Sequence, residues 1–262
     1  MALLALAPAP VAAQPEGLVG AKIIQGGQMP DGRPLAAIVL QLAPGWKTYW
    51  RSAGEGGLPP TFEWSATQNL ADVAYLWPSP QVFDIGGMRS FGYHERLVLP
   101  LAMTPRDTAQ PIDLQVKMNF GLCKDICLPA EVTLTAPPMA QGAPDHPLIL
   151  AALADQPMTA QAAGAANWSC SSTPIKDGVQ VALTLPMPMW AGAGDEVVVF
   201  EHSDAHIWAS PAQVMRQGDT LTAVADLVPP QAKPFDLAGD DLRLTVLAGG
   251  KAADLLGCPL VP

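Results

Sequence analysis

Prolines are spread along the whole chain of 262 residues, which contains 28 of them together with 23 glycines. Proline lacks a backbone N–H and clashes with the preceding helical turn, so this distribution is incompatible with long helices. Hydrophobic residues make up 49% of the chain, which is enough for a sizeable buried core. The pattern predicts an all-β protein of short strands and turns, with room for two domains.

The charge balance excludes two classes of partner. The net charge is −10, and only 15% of the residues are charged. An acidic chain with few lysines and arginines lacks the basic surface that binds nucleic acid or anionic lipid. No stretch of about 18 consecutive apolar residues is present, so we predict no membrane span within this chain.

Residues 1–13 resemble the end of a secretory signal peptide. They carry no charged side chain, and the apolar stretch 3–6 is followed by small residues at 11–13. The basic segment that normally precedes the apolar stretch is missing, so a disordered Ala/Pro tail is the alternative. If the signal-peptide interpretation holds, the mature chain begins near Gln14 and is exported to an oxidising compartment.

The remaining chain divides into two β-rich halves. Short apolar runs indicate strands in residues 14–136 and again in residues 167–262, and each half suits an immunoglobulin-like β-sandwich. The run 35–42 is almost wholly apolar, which is typical of a strand buried on both faces. Residues 137–166 are rich in Ala, Pro and Gln, and we interpret them as a linker. Within it, residues 145–154 predict one short helix with Asp145 near its cap.

Cys123 and Cys127 are separated by three residues and lie between two predicted strands. A hairpin with a three-residue loop would place them face to face, within the distance that a disulfide requires. Closing so short a loop removes little entropy from the unfolded chain, which favours a redox pair over a structural staple, although both remain open. Lys124 would favour a thiolate at Cys123. No second cysteine pair completes a metal site, so we predict none.

Cys170 and Cys258 lie 88 positions apart, at the two ends of the second half. A bond between them would close that half and contribute at most roughly 4–5 kcal/mol in the loop-entropy model. We therefore predict a structural disulfide. Two free or independently reactive thiols are the alternative.

Five motifs carry a resemblance to a known family. The chain resembles the periplasmic N-terminal domain of DsbD and ScsB thiol:disulfide interchange proteins, and the ScsB-like branch more closely. The resemblance covers residues 18–136 and is weaker beyond them. It implies an immunoglobulin-like fold and a disulfide that passes electrons between proteins. The motifs are GWKTYWR (45–51), GGLPP (56–60), LWPSP (76–80), GYHERLVLPL (92–101) and GLCKDICLPAE (121–131).

The resemblance assigns roles to individual residues. Cys123 and Cys127 match the redox pair, with Cys127 as the nucleophile toward the client and Cys123 as the resolving thiol, although Lys124 favours the reverse. Tyr49 matches a tyrosine that packs beside the pair. DsbD covers its disulfide with an aromatic residue, whereas this chain has DIGGMR at 84–89. The candidates for that shielding role are Phe83, Ile85, Met88 and Phe91.

The resemblance also implies partners and a location. Because family members often continue into a membrane domain and this chain stops at Pro262, we expect a separate membrane-embedded electron donor and periplasmic thioredoxin-fold clients. The protein would act in the periplasm as a component of a thiol:disulfide oxidoreductase system. It would need no cofactor, since the electrons travel in the sulfurs.

A second class of function remains open from the sequence. The chain would then be a non-catalytic periplasmic binding module, copper-handling or chaperone-like, with both disulfides structural. Met187 and Met189 offer thioether ligands that Cu(I) prefers, although core filling is the commoner use of methionine. His202 and His206 lie four positions apart but follow a predicted strand, which disfavours a helical metal pair.

Overall fold

The computed structural model describes residues 15–261 except 86, 140, 141 and 193. The predicted signal peptide at 1–13 lies outside the described residues. Strands dominate the described chain, which confirms the all-β prediction. No helix in the described part has the length and apolar character needed to cross a membrane.

The first half is a sandwich of two antiparallel sheets. One sheet has the strand order β1-β2-β8-β5, and the other has the order β10-β9-β3-β7-β6 with β4 paired to β9. The apolar side chains between the sheets form one core, in which Trp50, Leu99 and Met118 are fully buried. The strands are β1 (Leu18–Gln28), β2 (Pro34–Leu42), β3 (Lys47–Gly54), β4 (Thr61–Glu63), β5 (Leu70–Tyr75), β6 (Gln81–Ile85), β7 (Met88–His94), β8 (Arg96–Pro105), β9 (Gln115–Cys123) and β10 (Cys127–Thr135).

The helix in the segment between the halves packs on the first sandwich. Helix α1 (Pro147–Ala154) begins at the cap residue His146, whose Nδ1 accepts a hydrogen bond from the backbone N–H of Leu148 at 3.2 Å. The cap is therefore His146, which directly follows Asp145, the residue predicted to lie near the cap. Ile149 packs against Leu35 and other small apolar residues on the outer face of the four-stranded sheet. This contact explains why β2 is apolar on both faces.

The second half is also a sandwich. Its sheets have the strand orders β11-β19-β18-β14 and β12-β13-β17-β15, with β16 paired to β17. The β11–β19 pair is parallel, and the other strand pairs of the described residues in this half are antiparallel. The Cys170–Cys258 disulfide lies in the core of this half. The strands are β11 (Met158–Thr159), β12 (Ser169–Ile175), β13 (Gly178–Pro186), β14 (Val197–His202), β15 (Trp208–Ala209), β16 (Gln213–Gln217), β17 (Thr220–Val228), β18 (Leu242–Ala248) and β19 (Lys251–Leu256).

The sheet containing β14, β18 and β19 is buried on both faces. Side chains alternate along a strand, so neighbours such as Val198 and Val199 point to opposite sides. Val198 joins the core of the second half, whereas Val199 joins the core cluster of the first half. The two halves therefore share a continuous apolar contact. The second-half residues in the first-half cluster are Val197, Val199, Leu247 and Ala252.

Candidate active site

Cys123 and Cys127 face each other at the end of the β9–β10 hairpin and are joined by a disulfide. Their Cα atoms lie 4.2 Å apart, and the backbone N–H of Lys124 donates to the carbonyl of Ile126 across the three-residue loop. Cys123 is only 1% exposed, whereas Cys127 is exposed. A molecule that approaches from solvent therefore meets Cys127 first.

The hydroxyl of Tyr49 lies beside the disulfide bond, close to both sulfurs. Its oxygen is 2.7 Å from Sγ of Cys123 and 3.0 Å from Sγ of Cys127, and it is 3.3 Å from the carbonyl oxygen of Gly56. The side chain is 1% exposed, and burial raises the pKa of the phenol above its usual value. The hydroxyl therefore keeps its proton at neutral pH and can donate to either sulfur.

Two glycines make room for the Tyr49 ring. Tyr49 and Trp50 alternate on β3, so Trp50 enters the core while Tyr49 lies on the outer face of the sheet with Cys123. A Cβ atom on Gly57 would lie 2.7 Å from the ring, and one on Gly121 would lie 2.8 Å from it. Real Cβ atoms essentially never approach so closely, so a side chain at either position would displace the ring.

A row of four residues crosses the outer face of the sheet at the disulfide. Lys47 on β3 pairs with Cys123 on one side and with His94 of β7 on the other, and Cys127 completes the row. Residues directly opposite in an antiparallel pair point to the same face, so these side chains are neighbours. Lys47 is 5% exposed, and burial lowers the pKa of its ammonium group.

The four candidate shielding residues differ in their position relative to the disulfide. Phe83 lies over Lys47, with 4.7 Å between Nζ and the ring centroid, and its ring also contacts His94. Met88 is 53% exposed and extends toward Gly56. Phe91 is buried in the core, where its ring forms a T-shaped contact with Trp50, so it lies away from the disulfide and does not shield it. The side chain of Ile85 lies outside the described part of the chain.

The β6–β7 hairpin is tied to the loop that carries Gly56. The backbone N–H of Glu55 donates to the carbonyl of Arg89 at 2.9 Å, and the N–H of Arg89 donates to Oε2 of Glu55 at 3.1 Å. Behind this contact lies a cavity of about 610 Å³ between the two halves, whose lining includes Asp84 and Trp208. One side of the hairpin thus lies against the disulfide site, and the other side borders this cavity.

The second disulfide has a different environment. Cys170 and Cys258 are bonded, their Cα atoms lie 5.7 Å apart, and they are 0% and 1% exposed. No molecule can approach these sulfurs without opening the fold.

The side chains considered for metal binding do not converge. Met187 is buried in the core while Met189 is 53% exposed. His206 contacts Asp204 through Nδ1 at 2.8 Å, and His202 packs its edge against Phe235. Within the described residues, no group of three or more His, Cys, Asp or Glu side chains is arranged to hold a metal ion.

The sequence did not predict a role for three residues that contact the site, namely Lys47, Gly57 and Gly121. Each lies inside a motif that the resemblance already used, namely GWKTYWR, GGLPP and GLCKDICLPAE. Membership of these motifs is the signal that could have pointed to the two glycines. The space that each missing Cβ leaves for the Tyr49 ring is visible only in the structure. Nothing in the sequence indicates that Lys47 is buried.

Comparison with known proteins agrees with this geometry. Residues 21–138 match the family model described as thiol:disulfide interchange protein DsbD, N-terminal. The crystal structure of the N-terminal periplasmic domain of ScsB from Proteus mirabilis has the same fold, with a TM-score of 0.63 and 23% sequence identity. That match covers 93% of this chain and 100% of the ScsB domain. A comparison with curated proteins finds no match. Residues 21–138 therefore match the DsbD N-terminal domain, and the chain shares the fold of the ScsB domain, in agreement with the motifs.

Proposed function

We propose that this protein performs thiol:disulfide interchange in the periplasm through the Cys123–Cys127 pair. It would carry reducing equivalents from a membrane-embedded donor to thioredoxin-fold clients. One observation carries the proposal: a bonded pair with one exposed and one buried cysteine has a tyrosine hydroxyl within hydrogen-bonding distance of both sulfurs. The DsbD family match of residues 21–138 and the likeness to a periplasmic ScsB domain support it.

Reduction of the pair begins at Cys127. A thiolate of the donor attacks Sγ of Cys127, a new S–S bond forms, and the Cys123–Cys127 bond breaks with its electron pair passing to Cys123. Cys123 leaves as a thiolate, and the hydroxyl of Tyr49 is near enough to donate a hydrogen bond to it. A second donor thiolate then attacks the donor sulfur of the mixed disulfide. The donor leaves oxidised, and the pair is left with two electrons and, after protonation, two thiols.

Delivery to the client uses the same two sulfurs in reverse. Cys127 as a thiolate attacks one sulfur of the client disulfide, and the other client sulfur leaves as a thiolate. Cys123 then attacks Cys127 in the mixed disulfide, which restores the Cys123–Cys127 bond and releases the reduced client. The exposure of Cys127 supports its role as the nucleophile. Lys124 is exposed in the loop, which weakens the case that its charge makes Cys123 the nucleophile.

Shielding of the pair rests on Tyr49 and the β6–β7 hairpin. Tyr49 covers the sulfurs from one side, and Phe83 and Met88 extend from the hairpin toward Lys47 and Gly56. We propose that docking of a partner moves the hairpin, for which the adjacent cavity provides space. Thiols of molecules that do not dock would then react slowly with the Cys123–Cys127 disulfide, whereas a partner that displaces the hairpin would react with it quickly.

Trapping of mixed disulfides tests the proposal. A Cys123→Ala variant keeps the exposed nucleophile but lacks the resolving thiol, so it should accumulate a covalent complex with thioredoxin-fold periplasmic proteins that dithiothreitol releases. The matched Cys127→Ala variant keeps only the buried thiol and should trap far less. If neither variant traps a partner, and the wild-type pair stays oxidised against reduced thioredoxin-like donors, the chain is a binding module with structural disulfides.

A further inference from the structure

Lys47 is a buried lysine without a carboxylate partner. It is 5% exposed, and no ion pair formed within the described part of the chain involves it. Lysine is almost never so buried unless its charge is paired. Two aromatic rings flank the ammonium group instead, with Nζ 4.7 Å from the ring centroid of Phe83 and 5.9 Å from that of Tyr49.

The side chain of Lys47 leaves the sheet beside the cysteine that is hidden from solvent. Lys47 and Cys123 are direct partners across β3 and β9, and such side chains leave the sheet on the same face about 4.5–5.5 Å apart at Cβ. Tyr49, two residues further along β3, contacts that sulfur through its hydroxyl. A lysine side chain and a hydrogen-bond donor are therefore neighbours of the buried cysteine on this face of the sheet.

The electrostatics of this arrangement depend on the redox state. While the disulfide is closed, both sulfurs are neutral and the buried ammonium has no counter-charge. When the bond opens with its electron pair on Cys123, the sulfur becomes an anion on the residue paired with Lys47, within reach of the long lysine side chain. Opposite charges in a partly desolvated site attract more strongly than in water. The missing partner of Lys47 is thus present only after the bond has opened.

We propose that Lys47 stabilises the thiolate of Cys123, and that it thereby sets both the acidity of the buried thiol and the reduction potential of the pair. The inference rests on the proposed interchange function and adds a positioning residue to it. Lys47 forms no bond with the partner or the reacting sulfurs; its charge acts on the leaving sulfur during reduction and on the same sulfur during resolution.

Other charged or titratable groups face the same region and stay constant in the experiment. His94 of β7 is the second sheet partner of Lys47, and Tyr49 lies on the same strand. Lys124 and Asp125 lie exposed in the hairpin loop, and Asp84 of β6 follows Phe83. A change that removes only the charge of Lys47 isolates its contribution from theirs.

The test measures the pKa of a single thiol in the full chain. In a Cys127→Ser background with Cys170–Cys258 intact, only Cys123 titrates, and its thiolate is followed by ultraviolet absorbance. Lys47→Met keeps the length and apolar packing but removes the charge, and it should raise the pKa of Cys123 by about one to two units. Lys47→Arg keeps a charge and should restore most of the shift. Tyr49→Phe should also raise this pKa, because the anion loses a donor.

A second single-cysteine variant tests whether the effect of Lys47 is specific to Cys123. In a Cys123→Ser background the remaining thiol is Cys127, which lies one strand further from Lys47, so Lys47→Met should shift its pKa less. With both cysteines present, and at a pH above the Cys123 pKa measured in the single-cysteine variant, Lys47→Met should make the pair roughly tenfold harder to reduce in equilibrium with glutathione, which corresponds to about 30 mV for two electrons. Lys47→Gln provides the same charge removal if the methionine variant does not fold.

Two results would overturn the inference. One is an unchanged Cys123 pKa in Lys47→Met and Lys47→Gln, with or without a lower melting temperature, which would make Lys47 a packing residue only. The other is an equal shift in the Cys123 and Cys127 backgrounds. The titration needs no partner protein, so it separates this inference from the interchange proposal. Single-cysteine variants that trap no partner, together with a wild-type pair that stays oxidised against reduced thioredoxin-like donors, would refute the proposed function while leaving a measured shift in place.

Discussion

The guanidinium group of Arg51 forms a two-pronged ion pair with the carboxylate of Glu201. Nε lies 3.0 Å from Oε1 and Nη2 lies 3.0 Å from Oε2, and Nη2 is also 3.1 Å from the hydroxyl of Thr245. Arg51 is on β3, two residues after Tyr49, whereas Glu201 and Thr245 belong to the second half. The strand that positions the tyrosine hydroxyl is therefore tied directly to the other sandwich.

Replacing Glu201 by Gln should destabilise the whole chain. The side chains of Arg51 and Glu201 are only 12% and 19% exposed, so the arginine would lose its main counter-charge in a partly desolvated contact. We expect the free energy of unfolding in urea to fall by about 1–3 kcal/mol. The matched control is Glu131→Gln, whose pair with Lys117 is 54% and 43% exposed and should contribute at most about 1 kcal/mol. Equal losses in the two variants would contradict the prediction.

Replacing Gly121 by Ala should damage the site and the stability together. The new methyl group would lie 2.8 Å from both the Tyr49 ring and the Cβ of Leu58. Overpacking of this kind typically costs about 1–3 kcal/mol, measured as the free energy of unfolding. Gly20→Ala is the control, because a Cβ there meets no atom within 4 Å. A Gly121→Ala variant as stable as Gly20→Ala would show that the ring has room to move.

The two disulfides should differ strongly in their reactivity. Cys127 is exposed, while both sulfurs of the Cys170–Cys258 bond lie in a core. Brief treatment of the folded protein with dithiothreitol, followed by alkylation and mass spectrometry, should label Cys123 and Cys127 and leave the other pair intact. Labelling of Cys170 and Cys258 should require denaturant. Simultaneous labelling of all four cysteines in the native state would contradict the assignment.

All three tyrosines of the chain should resist ionisation in alkali. Burial raises the pKa values of Tyr49, Tyr75 and Tyr93 above the ordinary value of 10.0. The folded state therefore holds phenolic protons that the unfolded state releases, so their contribution to stability is complete below pH 10 and is lost as the pH rises through their folded-state pKa values. Lys47, whose pKa is lowered, contributes in the opposite sense. Phenolate absorbance isolates the tyrosines, and a titration of the folded protein near pH 10 would contradict the prediction.

The sequence could predict those features that depend on neighbours along the chain. Scattered prolines exclude long helices, and a three-residue loop between two strand-like segments places Cys123 opposite Cys127. The short helix followed from Pro147 and the apolar residues after it. These are local effects of backbone chemistry, and a reader of the sequence needs no knowledge of the tertiary fold to expect them.

Features that depend on sheet register could not be predicted in the same way. Phe91 and Gly92 are adjacent, and the pairing of Gly92 with Tyr49 sends Phe91 into the core instead of over the disulfide. A shift of one residue would have exposed it. Likewise, only the docking of the second half shows that Arg51 is paired and that β14 is buried on both faces.

The hairpin that opposes Cys123 and Cys127 has a consequence for how long a partner can stay attached. The nine register pairs that join β9 and β10 do not depend on the S–S bond, so the two sulfurs remain neighbours after it opens. A resolving thiol held in this way acts at an effective concentration far above that of any thiol in solution. In an interchange cycle each covalent complex would therefore be short-lived. Such a hairpin would favour rapid release of a bound partner over its retention.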